Sequence, residues 1–95
     1  MTRMFNNLIN SQWVEGQDTN QNLNPSDLSD VIGLYAQASL EQLDEAVLAA
    51  RAALPVWRGT GLEARQAILE TIGRELMERA EELGTLLSRE EGKPL

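Results

Sequence analysis

The first apolar positions of the chain fall in two short runs that predict a β-hairpin. One run is Leu8–Ile9 and the other is Trp13–Val14, with Asn10–Ser11 as the turn and Gly16 closing the unit. Serine is a weaker choice than glycine at the second turn position, because a left-handed backbone costs more for a residue with a β-carbon. We therefore expect two short antiparallel strands joined by a tight turn.

Residues 17–30 are mostly polar and predict a loop, with a turn at Asn24–Pro25–Ser26–Asp27. Residues 31–39, which read VIGLYAQAS, predict a β-strand because apolar side chains occur on both of its alternating faces. Apolar residues on both faces indicate that both faces are covered. The predicted faces carry Ile32, Leu34, Ala36 and Ala38 on one side and Val31 and Tyr35 on the other.

A helical period of about 3.6 residues replaces the strand pattern after Ser39. Ser39 is a favourable N-cap, and Gln42 three residues later completes a capping box. Pro55 lacks a backbone donor, so we expect it to end or kink the helix, with Trp57 packed near the end. The apolar ridge of this helix is predicted at Leu43, Ala46, Val47, Ala50 and Leu54.

A second helical region follows residues 58–61, which read RGTG. Thr60 and Glu63 predict another capping box. The region is longer than an ordinary globular helix, so we expect a break near Arg79–Ala80 and a C-cap at Gly92. The apolar stripe of this region consists of Ala64, Ile68 or Leu69, Ile72, Leu76, Ala80, Leu83, and Leu86 or Leu87.

Composition narrows the classes of protein to which the chain can belong. Its 95 residues are 42% hydrophobic and 4% aromatic, which predicts one small globular unit with a mainly aliphatic core. The net charge of −7 argues against binding to nucleic acid or to anionic membranes. The N-terminus lacks the apolar run of a signal peptide and no stretch is long enough to span a bilayer, so we expect a cytoplasmic protein.

Candidate chemistry is limited by the absence of cysteine and histidine from the sequence. Thiolate zinc sites, cysteine nucleophiles and histidine bases are therefore excluded among these residues. The RGTG stretch has neither dinucleotide-binding nor P-loop spacing and is interpreted as a helix–helix turn. Lys93 is interpreted as part of a helix stop, and the pairs Glu81–Glu82 and Glu90–Glu91 as surface charges. We expect no catalytic, cofactor-binding or metal-binding residue in this chain.

Several short motifs nevertheless follow one another in a distinctive order. They are Trp13 and Gly16, Asn24–Pro25, Val31–Ile32–Gly33, the alanines Ala46, Ala49, Ala50 and Ala53, then Trp57, Arg65, Glu90, Gly92, Lys93 and Pro94. In this order they resemble the N-terminal segment of the NAD(P)-dependent aldehyde dehydrogenase family, from about Leu8 onward. Residues 22–39 are most similar to bacterial enzymes acting on semialdehydes, including the α-ketoglutaric semialdehyde (2,5-dioxovalerate) dehydrogenases. One departure is Asn10–Ser11, where the family often has Asn–Gly.

The resemblance implies an α/β protein with a Rossmann-like fold when complete. Residues 1–95 would form the N-terminal part of its cofactor-binding domain, with the hairpin and strand in 8–38 and two or three helices in 39–95. It also implies oxidation of an aldehyde with NAD or NADP, by a cysteine nucleophile and a glutamate base downstream of the matched segment. No catalytic or cofactor-binding residue is therefore transferred to this chain, and neither cofactor is expected to bind it alone.

Three hypotheses about the chain follow. The leading one is the N-terminal scaffold of an aldehyde dehydrogenase, present as a truncated product or fragment cut at Leu95 and inactive alone. The intact enzyme would be a homo-oligomer acting on a small aldehyde. The alternatives are a split enzyme completed by a second chain, and a self-standing acidic helical module that binds a partner. The partner-binding face of such a module would be Leu69, Ile72, Leu76 and Leu83, and both it and the scaffold predict an exposed apolar surface.

Overall fold

A computed structural model of the chain describes residues 2–92 and 94. Within this range strands come first and helices follow, which confirms the predicted order and shows three helices. The strands are β1 (Met4–Phe5), β2 (Asn7–Ile9), β3 (Gln12–Val14), β4 (Asp18–Asn24) and β5 (Asp27–Gln37). The helices are α1 (Leu40–Gly59), α2 (Leu62–Glu78) and α3 (Ala80–Glu91). None of the described helices is long and apolar enough to cross a membrane.

Strands β2 and β3 form the predicted hairpin. They are antiparallel, and Ile9 lies opposite Gln12 across the turn. Asn10 and Ser11 both adopt positive φ values, 51° and 63°. Two consecutive left-handed residues are what a type I′ turn requires, and this turn matches the twist of the flanking strands. Ser11 therefore takes the conformation for which glycine would be the easier choice.

The predicted loop over residues 17–30 is wrong, because most of it is strand. Strand β4 pairs antiparallel with β5 along its whole length, and β5 begins at Asp27 rather than at Val31. The polar residues of β4 have low strand propensity, but pairing with β5 satisfies their backbone and leaves residues 18–21 exposed to water. The predicted turn is confirmed, since Asn24 lies opposite Asp27. The Asn24 side-chain oxygen accepts a hydrogen bond from the Ser26 N–H at 2.9 Å.

The larger sheet has the strand order β1–β5–β4, with β1 parallel to β5. Phe5 of β1 stacks on Tyr35 of β5, with ring centroids 4.9 Å apart. Gly33 leaves room for this stack, because a β-carbon at that position would lie 2.7 Å from Phe5 Cε2. Among the described residues, the apolar side chains that are buried are those of Ile9 and Ile32. The core of the described chain is therefore very small and belongs to the strands.

Helix α1 begins with the predicted capping box. The Gln42 N–H donates to Ser39 Oγ, and the Ser39 N–H donates to Gln42 Oε1. Of the two outcomes expected at Pro55, an end of the helix is wrong, because α1 continues to Gly59, and a kink stays a prediction. Inside a helix, proline removes one hydrogen bond and its ring crowds the carbonyl of the preceding turn, but its φ angle is compatible with the helix. Later residues can therefore still complete the final turn of α1.

The junctions of α2 and α3 confirm two predictions and correct one. The predicted Thr60–Glu63 capping box is absent, because Gly61 is the N-cap of α2 and makes no side-chain cap bond. The Thr60 hydroxyl donates instead to the Val56 carbonyl at 2.8 Å and so closes the end of α1. The expected break occurs at Arg79, and Gly92 ends α3 with a left-handed φ of 70°.

Candidate functional site

The glycine-containing stretch at residues 58–61 is the helix–helix turn that the sequence predicted. It joins α1 to α2 and follows a helix, whereas a dinucleotide-binding loop follows a strand. A β-carbon placed on Gly59 or on Gly61 would meet no atom of a more distant part of the described chain within 4 Å. The backbone here therefore makes no close approach that would require glycine for a phosphate group.

The acidic pairs make surface contacts. Glu82 forms an ion pair with Arg79 at 2.8 Å, and Glu90 accepts a hydrogen bond from the Asn22 amide at 2.6 Å. Across residues 2–92 and 94, no cluster of three or more acidic, histidine or cysteine side chains is arranged to hold a metal ion. Lys93, interpreted as part of a helix stop, and Leu95, interpreted as a cut end, lie outside the described residues.

A polar contact between α3 and the β4–β5 hairpin, which we call the α3 contact, is the most developed polar cluster. The Arg89 guanidinium donates from Nε and Nη2 to both oxygens of Asp30, at 3.0 and 2.6 Å. The Asn24 amide also donates to Asp30. The hydrogen bond from Arg89, with a smaller contribution from Asn24, lowers the pKa of Asp30 below its ordinary value.

Two further bonds extend the α3 contact to the end of the helix. Glu90 binds the Asn22 amide, and the Ser26 hydroxyl donates to the Gly92 carbonyl at 3.2 Å. Sequence reasoning missed this cluster because its partners are 59 to 68 residues apart. The apolar and polar pattern of the two segments contains no signal for that pairing. The shifted pKa values of Asp30, Arg89, Arg79 and Glu82 all have hydrogen-bonded ion pairs as their leading cause, so none of them identifies a catalytic group.

The second prominent feature is the apolar surface of the helices. None of the three helices contains a buried residue. The α2 part of the predicted apolar stripe is open, with Leu69 63% exposed, whereas Leu83 and Leu86 of α3 are half-buried. Large apolar side chains in this number are usually covered in a finished protein. The exposed large apolar side chains on α1 and α2 are Leu40, Leu43, Val47, Leu48, Leu54, Val56, Trp57, Leu62, Ile68, Leu69, Ile72, Leu76 and Met77.

A cleft of about 690 Å³ lies where α1 meets α2. Its lining is mostly apolar and includes Trp57, Leu62 and Leu69, together with Arg65, Gln66 and Glu70. We call it the Trp57 cleft. Among the described residues, no acceptor is available to the buried Nε of Arg65. Sequence reasoning noted Arg65 only as part of a motif, and the periodicity of α2 could not show that one of its donors would lack a partner.

These features describe an open apolar surface and a cleft. The chain offers no thiol or imidazole, and its shifted titratable groups are held in ion pairs. The open apolar helices can bury against another polypeptide surface, and the Trp57 cleft adds one directional donor to that surface.

Comparison with known proteins identifies the family. The model of the aldehyde dehydrogenase family matches residues 13–95. The chain is 40% identical over 88 residues to N-succinylglutamate 5-semialdehyde dehydrogenase of Chromobacterium violaceum, covering 92% of this chain and 18% of that protein. It is 38% identical over 93 residues to alpha-ketoglutaric semialdehyde dehydrogenase of Bacillus subtilis, covering 94% and 19%.

A third relative is 1-pyrroline-5-carboxylate dehydrogenase 2 of Bacillus subtilis, which is 36% identical over 87 residues, covering 92% of this chain and 17% of that protein. The chain thus spans less than a fifth of the length of these curated relatives. The resemblance noted in the sequence is confirmed, including the presence of an α-ketoglutaric semialdehyde dehydrogenase among the relatives. The chain belongs to the aldehyde dehydrogenase family.

Proposed function

We propose that this chain is the N-terminal scaffold of an enzyme that oxidises an aldehyde or semialdehyde to a carboxylic acid with NAD or NADP. Family membership supports the reaction class, and the names of two of the relatives above support a semialdehyde substrate. In this proposal residues 1–95 are the N-terminal part of the cofactor-binding domain. They position other parts of the enzyme and contribute no catalytic, cofactor-binding or metal-binding residue.

The observation that carries the proposal is the open apolar surface of α1 and α2. Long apolar side chains on both helices face water in the chain alone, and the buried apolar side chains of residues 2–92 and 94, Ile9 and Ile32, belong to strands. The relatives are more than five times as long as the segment they share with this chain. The rest of an aldehyde dehydrogenase polypeptide would provide the cover that these helices lack, and it would also supply the cysteine nucleophile. The comparisons give no support to the alternative of a self-standing interaction module.

A complementation experiment tests this proposal. The chain is mixed with alpha-ketoglutaric semialdehyde dehydrogenase of Bacillus subtilis from which the aligned N-terminal segment has been removed. We expect no cofactor reduction by the chain alone, little by the shortened enzyme alone, and substantial reduction by the mixture with aldehyde and NAD or NADP. The proposal would be contradicted if the chain alone oxidised the aldehyde. It would also be contradicted if the chain and the shortened enzyme formed no complex and showed no activity when mixed.

A pair of variants makes the experiment specific to the apolar surface. Ile72→Asp introduces a charge into the predicted stripe, and burying it should weaken binding to the shortened enzyme at least tenfold. Gly73→Asp is the matched control, because Gly73 lies off the stripe and its β-carbon position is open. Equal loss of binding in both variants would show that added negative charge, rather than lost apolar contact, is responsible.

A further inference from the structure

Arg65 differs from two other arginines of the chain in how its guanidinium is used. Arg79 donates from Nε and Nη2 to the two oxygens of Glu82, at 2.8 and 2.9 Å. Arg89 binds Asp30 through the same pair of nitrogens. In Arg65 the Nε is buried, but no acceptor among the described residues binds it. A buried donor without an acceptor is costly, so such groups are uncommon in finished interfaces.

The surroundings of Arg65 indicate what kind of acceptor fits. The Trp57 cleft combines large apolar side chains, including Trp57 and Leu69, with this one unsatisfied cationic donor. A guanidinium presents Nε–H and one Nη–H in a planar fork that matches the two oxygens of a carboxylate. Among the described residues that line the cleft, the one acid is Glu70, which accepts a hydrogen bond from Gln66 at 2.9 Å and none from Arg65 Nε. An acceptor for Arg65 would thus come from outside the segment.

We propose that the Trp57 cleft receives a segment of the remaining aldehyde dehydrogenase polypeptide that places an Asp or Glu carboxylate on the Arg65 fork. This inference rests on the proposed function, because it takes the rest of the enzyme as the occupant. The apolar walls of the cleft bury an aliphatic or aromatic neighbour of that carboxylate, and the ion pair fixes the register of the docked segment. Arg65 is a positioning residue in this arrangement.

The test measures binding of the chain to the shortened Bacillus subtilis enzyme described above. Arg65→Lys keeps the positive charge but removes the fork, and we expect it to weaken binding about 10- to 100-fold. Arg74→Lys is the matched control on the same helix, since Arg74 donates to the Thr71 hydroxyl across 3.5 Å, a long and weak hydrogen bond. This control should bind within about twofold of the unsubstituted chain. Circular dichroism of each variant reports whether its helices are intact.

A second measurement needs no variant. The NMR signal of Arg65 Nε–H in the unsubstituted chain should move downfield and exchange more slowly with water when the shortened enzyme binds. Binding that leaves this signal and the affinity of Arg65→Lys unchanged would overturn the inference and leave the proposed function standing. No binding by the unsubstituted chain would overturn both. Self-association that Arg65→Lys abolishes, without binding to the shortened enzyme, would make a second copy the occupant and overturn the inference.

Discussion

The strand region with α3 and the arm formed by α1 and α2 are held in place in different ways. The strands contain the buried side chains Ile9 and Ile32, and the α3 contact ties residues far apart in sequence. Helices α1 and α2 are longer and regular, yet they contain no buried residue. The difference shows that regular secondary structure and tertiary burial are separate properties here. In most proteins helices gain their stability from packing an apolar face, and these two helices lack that packing within the chain.

The largest expected effect concerns Gly16, which lies against the backbone of Gln37 at the end of β5. A β-carbon there would lie 2.7 Å from the Gln37 carbonyl carbon, and backbone atoms cannot move away cheaply. Gly16→Ala should lower the free energy of unfolding of the strand region by about 2–3 kcal/mol. The change in unfolding free energy is measured by denaturant unfolding, followed through the NMR signals of the strand amides.

The control for this substitution is on the arm. Gly73→Ala places a methyl group in open space within α2, so it should raise helix stability by about 0.5–1 kcal/mol. Destabilisation of similar size by both substitutions would mean that the arm is as tightly packed as the strands, contrary to our comparison.

An intermediate effect is expected from the α3 contact. Because Arg89 lowers the pKa of Asp30, the ion pair stabilises the folded chain above the ordinary Asp pKa, and this contribution is lost as pH falls through the lowered value. Asp30→Asn should loosen α3 from the β4–β5 hairpin at neutral pH and remove this acid dependence. NMR titration of the Asp30 carboxyl carbon in the unsubstituted chain measures the acid dependence. The amide signals of α3 in both proteins show whether the helix has loosened.

The Arg79–Glu82 pair provides the comparison for this prediction. Both side chains are more than half exposed, and the two residues are three apart at the junction of α2 and α3. Glu82→Gln should therefore change stability less than Asp30→Asn, and added salt should reduce its effect further. The opposite ranking would show that the α3 contact does not hold the helix on the sheet.

The smallest effect is predicted at the hairpin turn. Ser11 has a φ of 63°, which glycine adopts without the cost of a β-carbon. Ser11→Gly should stabilise the β2–β3 hairpin by about 0.5–1 kcal/mol, measured by slower amide exchange in these strands. Exchange in α2 should stay unchanged, because the substitution relieves only the local backbone conformation at Ser11.

Local chemistry accounts for the features that sequence reasoning predicted correctly. The Ser39–Gln42 capping box, the Asn10–Ser11 turn and the Gly92 C-cap each depend on neighbouring residues only. Strand β4 could not be predicted in this way, because its polar residues are held by pairing with β5 rather than by their own propensity. The Asp30–Arg89 pair and the unsatisfied donor of Arg65 also depend on tertiary placement.

Hydrogen–deuterium exchange of the backbone amides tests the central claim most directly, namely that α1 and α2 pack against the rest of an aldehyde dehydrogenase. The chain is measured alone and together with the shortened Bacillus subtilis enzyme. We predict that amides of α1 and α2 exchange much faster than those of β5 in the chain alone, and slow markedly in the mixture, while β4–β5 changes little. The claim would be contradicted if the amides of α1 and α2 were as protected as those of β5 in the chain alone and did not change when the shortened enzyme was added.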